Sequence, residues 1–276
     1  MKKYLSYKNQ IKGFKEVYET LKAIEKIAAS QIHFLKKKTK ALILYSTEIK
    51  LLFPLVFSSD HFLFKKKKGK KALLLISGNK ALVGDLYHKL VKVFLENRSF
   101  YDFYFVIGKK GKELLEEEGI KLNKTFLISS EIPSKEETDL IIKEILKDFK
   151  SNLFTQLDLI YPKFISFTYQ EPVLEKFLPL EIEIKKQNEL GFPIFEPSRQ
   201  KFFSWLLERY LDLSFYRFIL ETKLSEFSAR TIVGGNGAKK SEDLIKKLSL
   251  KYFKERQREI TQKQLESFAV HNLISK

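Results

Sequence analysis

The chain has 276 residues, and its 44% hydrophobic and 14% aromatic content is sufficient for a packed core. It contains no cysteine, which excludes disulfides, thiolate nucleophiles and metal sites built on cysteine. The formal net charge is +17, and an excess of that size is typical of chains that bind an acidic partner. The lysines form separate clusters instead of one stripe, so a solvated surface explains each cluster equally well.

The N-terminal segment repeats an apolar or small residue at every seventh position, the pattern that makes helices supercoil around one another. No proline interrupts it before Pro54. We therefore predict a helix from about Tyr4 to Phe53, which at 1.5 Å per residue is about 75 Å long and needs a partner helix. We assign residues 1–58 to this coiled-coil domain. The predicted seam consists of Phe14, Leu21, Ala28, Leu35, Leu42 and Ile49.

Short apolar runs alternate with helical patterns after the lysine-rich segment around Gly69. We predict strands at residues 72–76, 103–107, 125–128 and 157–167, and helices at 82–96, 109–118 and 135–150. This alternation indicates an α/β layer with a mainly parallel sheet. Residues 59–196 are therefore assigned to a Rossmann-like α/β domain.

The helical pattern returns at about Pro197 and continues through the last segment, residues 197–276. Its apolar spacing predicts that the first and last segments pair with each other. The predicted fold class is therefore α/β: a long antiparallel coiled coil of the N- and C-terminal helices, with the α/β domain inserted between them.

The sequence offers little chemistry of its own. Residues 234–241 (G-G-N-G-A-K-K-S) resemble a phosphate-binding loop, but the decisive second glycine is missing, with Ala238 in that part of the loop, and a helical pattern precedes them. The turn from Gly108 to Gly111 either binds an anion or simply joins a strand tightly to a helix. The four histidines have no carboxylate at metal-ligand spacing, and no acid/base pair or nucleophile motif is recognisable. We predict no catalytic residue, metal or cofactor.

No segment predicts secretion or a membrane span. The residues after Met1 are interrupted by charges every few positions, unlike a signal peptide. The most apolar stretch, 41–57, contains Glu48, Lys50 and Pro54, and it falls short of the roughly 20 apolar residues that cross a bilayer. Any membrane association is expected to go through a partner.

Several motifs resemble, in the same order, those of the gamma subunits of F-type ATP synthases. Residues 225–230 (S-E-F-S-A-R) are similar to the family's S-E-x-x-A-R, and residues 256–261 (R-Q-R-E-I-T) to its R-Q-x-x-I-T. Residues 107–111 (I-G-K-K-G) resemble its I-G-x-K-G turn, and residues 7–30 align with its first helix. The resemblance covers nearly the whole chain. Two segments depart from the family, since 77–84 only approximates S-D-x-G-L-C-G and the glycines around Val233 replace A-M-x-x-A.

The resemblance implies a central rotor shaft that couples ion-driven rotation to conformational cycling of catalytic beta subunits, without catalysing the reaction itself. The implied partners are the alpha and beta subunits of the catalytic hexamer, the epsilon subunit and the c-ring, with no nucleic acid. The implied location is cytoplasmic, peripheral on the inner face of the cell membrane. Arg256 and Gln257 are implied to hydrogen-bond a beta-subunit loop.

Three other functions are weighed against this one. A basic coiled-coil nucleic-acid binder explains the charge, but aromatic residues are not interleaved with the lysines as such binders require. A nucleotide-binding enzyme explains neither the motifs nor their order. A gamma-like shaft of a specialised rotary ATPase, not coupled to ion transport, fits the same motifs and stays open.

Overall fold

A computed structural model describes residues 3–56, 61–65, 67–181 and 194–274 of the chain. The elements, in chain order, are α1 (Lys3–Val56), β1 (Lys71–Ile76), α2 (Leu86–Asn97), a 3-10 turn (Arg98–Phe100), β2 (Phe103–Ile107), α3 (Lys109–Glu117), β3 (Lys124–Phe126), α4 (Lys135–Lys150), β4 (Gln156–Phe164), β5 (Gln170–Leu178) and α5 (Arg199–Ile274).

The chain divides into two compact units. A helical unit contains residues 1–28 and 231–276, and an α/β unit contains residues 29–230, so that α1 and α5 contribute to both. The domain boundary predicted at residue 59 lies outside the described residues, and the predicted domain limits remain a prediction.

The α/β unit contains a five-stranded sheet in the order β3-β2-β1-β4-β5. The pairs β1–β2, β1–β4 and β2–β3 are parallel, whereas β4–β5 is antiparallel. The α/β fold class with a mainly parallel sheet is thus confirmed. The sequence analysis missed β5, and it extended the fourth strand to residue 167 although β4 ends at Phe164. In β5 charged residues break the apolar pattern, because most of this edge strand is only partly buried.

Strand β1 organises the core because both of its faces are covered. Ala72, Leu74 and Ile76 point into one apolar cluster, and Leu73 and Leu75 point into the other. The first cluster includes residues of α1, α4 and α5, and the second includes residues of α2 and α3. A strand covered on both faces reads as a continuous apolar run, which is why β1 could be predicted from the sequence.

Helix α4 begins with a capping box at Ser134. The Ser134 hydroxyl accepts a hydrogen bond from the backbone N–H of Glu137, and the Glu137 carboxylate accepts one from the N–H of Ser134. These bonds satisfy donors that a helix start otherwise leaves unpaired. Hydrogen bonds from Ser130, Ser134 and Ser129 lower the pKa of Glu137 to about 2. The same carboxylate thus fixes both the helix and the preceding loop.

In the helical unit α1 and α5 run antiparallel, as predicted. The rings of Tyr4 and Tyr252 lie 6.0 Å apart. Farther along α1, Leu21 lies beside Gly234 and Gly237 of α5, so residue numbers rise in one helix as they fall in the other. Helix α5 continues through these glycines without a break.

Glycine at 234 and 237 allows this close approach. A Cβ at Gly234 would lie 3.2 Å from the backbone oxygen of Leu21, and one at Gly237 would lie 2.9 Å from the Leu21 Cδ1. At Gly235 the nearest atom would instead be the Oε1 of Glu25, at 3.3 Å, which belongs to a flexible side chain. Adjacent glycines therefore differ in what they tolerate.

We expect Gly234→Val to destabilise the helical unit by about 1–3 kcal/mol, because its methyl groups would press on the backbone of α1. Gly235→Ala is the matched control and should be neutral or stabilising by up to about 1 kcal/mol, since alanine favours the helix. Urea unfolding followed by circular dichroism measures both changes. Equal effects of the two substitutions would contradict this account of the glycines.

Candidate functional site

The six predicted seam residues lie on the covered side of α1. Ala28, Leu35 and Ile49 are buried, and Phe14, Leu21 and Leu42 are partly buried. Thr39 and Ser46 are also buried and fall between these residues at three- and four-residue spacing, and Phe53 continues the pattern after Ile49. The sequence analysis did not include Thr39 and Ser46, because polar residues do not register in an apolar repeat.

Arg256 and Gln257 are exposed on the last part of α5. Near them Lys3 of α1 approaches Glu255, with 4.0 Å between Nζ and Oε1. Because α1 begins at Lys3, the α5 residues beyond this point face no α1 segment among those that the structure describes. Large apolar side chains are exposed here as well, namely Phe253, Ile260, Leu265, Phe268 and Val270. The end of α5 therefore presents both polar and apolar groups to solvent.

The S-E-x-x-A-R stretch of α5 is buried in the α/β unit. Ser225, Glu226, Ala229 and Arg230 are all buried, and the Ser225 hydroxyl donates a hydrogen bond of 2.7 Å to the carbonyl oxygen of Pro162 in β4. This stretch attaches α5 to the sheet. The sequence shows this motif but does not predict its role inside the chain.

Burial of Glu226 requires partners for its carboxylate, because an unpaired buried charge is costly. The hydroxyl of Tyr87 in α2 donates to its Oε1 at 2.7 Å, and the ammonium of Lys223 donates to its Oε2 at 3.1 Å. Burial, and then the charge of Glu226, raise the pKa of the Tyr87 phenol, which keeps it a donor. A Cβ on Gly78 would overlap the Glu226 carboxylate, so glycine is required there.

The backbone amides of the turn before α3 donate hydrogen bonds within the chain. The backbone N–H of Lys109 donates to the Asn79 side chain, that of Lys110 to the carbonyl of Gly78, and that of Gly111 to the Ser77 hydroxyl. Gly108 has a φ of +96°, which favours glycine. Of the two explanations considered for this turn, the structure supports a tight strand-to-helix connection, because donors for an anion are already engaged.

The other candidate sites lack the necessary geometry. Residues 234–241 lie inside α5, whereas a phosphate-binding loop joins a strand to a helix. The described part of the chain contains no cluster of three or more histidine or carboxylate side chains that could hold a metal ion. None of the helices described is both long and apolar enough to span a membrane.

Removing the Tyr87 hydroxyl with Tyr87→Phe should destabilise the chain by about 1–3 kcal/mol, because Glu226 would lose a hydrogen bond in a buried environment. Tyr104→Phe is the control, since that hydroxyl donates only to backbone carbonyls near the surface. Urea unfolding of both variants measures the difference. If Tyr87→Phe were as stable as the parent chain, Glu226 would not depend on this bond.

Comparison with known proteins gives one consistent result. The family model described as ATP synthase matches residues 3–266. The ATP synthase gamma chain of Clostridium kluyveri is 26% identical over 266 residues, covering 94% of this chain and 93% of the relative. That of Dehalococcoides mccartyi is 29% identical over 270 residues, covering 94% of each.

A solved structure supports the same fold. The rotor of the Euglena gracilis mitochondrial ATP synthase contains a chain that matches with a TM-score of 0.68 and 14% identity, over 93% of this chain and 98% of that one. At this identity the match concerns the fold alone, while the family model and the curated relatives concern the sequence. The chain therefore belongs to the ATP synthase gamma-chain family, whose members form the central rotor stalk of F-type ATP synthases.

Proposed function

We propose that this chain couples ion-driven rotation to the conformational cycle of catalytic beta subunits and catalyses no reaction itself. The proposal rests on the contrast between the buried and the exposed parts of helix α5. Within the α/β unit its residues Phe203, Leu207 and Phe215 are buried in the core, whereas in the helical unit Arg256 and Gln257 are exposed. One continuous helix thus joins a firmly held segment to a segment with free side chains.

The coupling is a shift of populations. A shaft that touches three beta subunits differently binds one conformation of each more tightly than another, and only this difference in binding free energy can move the equilibrium. When the shaft turns, the beta subunits exchange conformations. Torque then drives synthesis, and hydrolysis drives the same cycle backwards.

Arg256 and Gln257 are the proposed contacts with a beta-subunit loop. Arginine presents a planar fork of donors that matches a carboxylate, which lysine cannot reproduce. The exposed apolar residues around them, such as Ile260 and Phe268, suit a surface that is covered in an assembly. The formal charge of +17 suits acidic loops in the partners.

The remaining partners are proposed from the family. The alpha and beta subunits would surround the helical unit, and the epsilon subunit and the c-ring would contact the α/β unit. The chain would be cytoplasmic and would lie at the inner face of the cell membrane through these partners only. The six seam residues from Phe14 to Ile49 would form the coiled-coil seam, and residues 1–58, 59–196 and 197–276 the three functional segments.

The second candidate is a gamma-like shaft in a specialised rotary ATPase that transports no ion. It shares the α/β fold and the exposed end of α5, and it differs only in what the α/β unit binds. No residue described above distinguishes the two, so the partners must be identified directly.

The complex that remains with the chain after gentle detergent extraction of the membrane separates the two. We expect alpha, beta and epsilon subunits together with a c-ring, because a synthase shaft must bind both the hexamer and the ion-driven ring. Mass spectrometry of the material purified through a tag on this chain measures this. A hexamer without a ring would favour the specialised ATPase. Salt-resistant, saturable binding of DNA in place of subunits would overturn the shaft proposal, because non-specific DNA binding is lost as salt rises.

Changing Arg256 and Gln257 together to alanine should leave assembly intact, because both are exposed and alanine is the best helix former. Rotation of the reconstituted complex should slow by roughly fivefold or more, since lost charge-assisted hydrogen bonds are worth about 1–3 kcal/mol. Single-molecule rotation under ATP measures the speed and the torque.

The matched control replaces Arg258 and Gln262, which are also exposed on α5, by alanine. It removes the same charge and the same amide, and it should rotate normally. If both double variants behaved like the parent complex, Arg256 and Gln257 would be ordinary surface residues. A failure to assemble would make their role structural and would contradict the coupling role.

A further inference from the structure

We propose that a polar cavity in the α/β unit binds a small tetrahedral oxyanion of the class of inorganic phosphate. The cavity has a volume of about 270 Å³. Residues of the loops after β1 and β3 and of one side of α5 line it. The residues that line it include Asn79, Lys80, Glu131, Lys223, Glu226 and Arg230.

The floor of the cavity is charged and buried. The side chains of Lys223 and Arg230 are 8% exposed, and that of Glu226 is 2% exposed. Charged groups in such positions are normally paired in full, because an unpaired one loses its hydration without compensation. The pairing of each group therefore indicates what the cavity can bind.

Arg230 has one carboxylate partner among the described residues. Its Nη1 lies 3.5 Å from Oε1 of Glu131, and its guanidinium carbon lies 5.3 Å from the centre of the Phe227 ring. Glu131 is the one carboxylate within ion-pair distance of this guanidinium among the described residues, and a guanidinium has five N–H donors, so some of them face the cavity. Such a cavity offers its donors to an acceptor that enters from solvent, and a tetrahedral oxyanion supplies several acceptors in the geometry that arginine prefers.

The charges around the cavity favour an anion. Three cations, Lys80, Lys223 and Arg230, line it together with two carboxylates. The carboxylate of Glu226 is engaged by Lys223 and by the Tyr87 hydroxyl. The carboxylate of Glu131 is shared by Lys80, at 2.6 Å, and by Arg230. One positive charge is left over, which an oxyanion would neutralise.

The rim permits entry and the volume permits the ion. The side chains of Lys80 and Glu131 are 62% and 43% exposed, so this side of the cavity is open to solvent. A volume of about 270 Å³ corresponds to about nine water molecules at the ~30 Å³ that each occupies in the liquid. The five heavy atoms of phosphate require less than this.

The competing explanation is that the cavity holds only water, because water molecules also accept hydrogen bonds from arginine. Water does not neutralise the additional positive charge, and this difference makes the proposal testable. The proposal depends on the geometry of the α/β unit and not on the shaft function, so that either can fail without the other. Phosphate is the chosen probe because it is a small tetrahedral oxyanion that carries the negative charge the cavity lacks.

The experiment is isothermal titration of the full chain with inorganic phosphate in a chloride buffer of constant ionic strength. Constant, near-physiological salt screens the surface lysines, whose weak binding of anions would otherwise obscure a single site. We expect saturable binding of one equivalent. Arg230→Gln should weaken it roughly tenfold or more, because charge-assisted hydrogen bonds to the ion are lost.

Arg217→Gln is the matched control. Arg217 also lies on α5, but it faces Glu175 and Glu221 instead of the cavity. Its replacement should leave phosphate affinity unchanged within about twofold, as expected for a charge outside the site. Absence of saturable binding, or an equal loss in both variants, would overturn the proposal.

A second variant keeps the test decisive if circular dichroism shows that Arg230→Gln does not fold. Lys80→Gln changes an exposed rim residue, so the fold should be retained. It should weaken phosphate binding severalfold, because it removes one of the three cations at the cavity. If Lys80→Gln bound phosphate as tightly as the parent chain, the site would lie elsewhere and the proposal would be wrong.

Discussion

Helix α5 covers one face of the sheet in the α/β unit, and most other features of that unit depend on this packing. Leu207, Leu211 and Phe215 of α5 share an apolar cluster with Leu74 of β1 and Leu159 of β4. Burying large apolar side chains stabilises the fold by roughly 1.5–3 kcal/mol each, so this contact outweighs any single polar interaction in the unit. The helix is thereby held along several turns and not at one point.

The same packing explains the buried charges. Once α5 lies on the sheet, Glu226 and Arg230 are carried into the interior together with their apolar neighbours, and each must find partners there. Glu226 finds Tyr87 and Lys223, and Gly78 provides the space for its carboxylate. Arg230 pairs with Glu131, and it also lines the polar cavity beside it.

In the helical unit, one segment of α5 is closely packed and another is exposed. Around Gly234 and Gly237 the helix approaches α1 closely, which the missing side chains permit. Beyond Glu255 its apolar and polar groups are exposed. An apolar surface of this kind is costly in water unless a partner covers it, which agrees with membership of a family of rotor stalks.

The sequence by itself determined the periodic parts of this protein. The heptad positions from Phe14 to Ile49 indicated a long helix, and the apolar run of β1 indicated a strand covered on both faces, because each period follows directly from backbone geometry. Ordered motifs such as residues 225–230 indicated the family. These features are local, so a single sequence contains them.

Only the tertiary structure decided which distant residues meet. Tyr87 and Glu226 are 139 positions apart, and no spacing rule connects them. Strand β5 was missed because its charged residues reflect an exposed edge, and an edge exists only once β4 has formed its other pair. Likewise, Gly234 and Gly237 are unfavourable in an isolated helix, and their value emerges only where Leu21 of α1 lies against them. Local preference fixes each element, whereas contacts between elements depend on the packing of the whole unit.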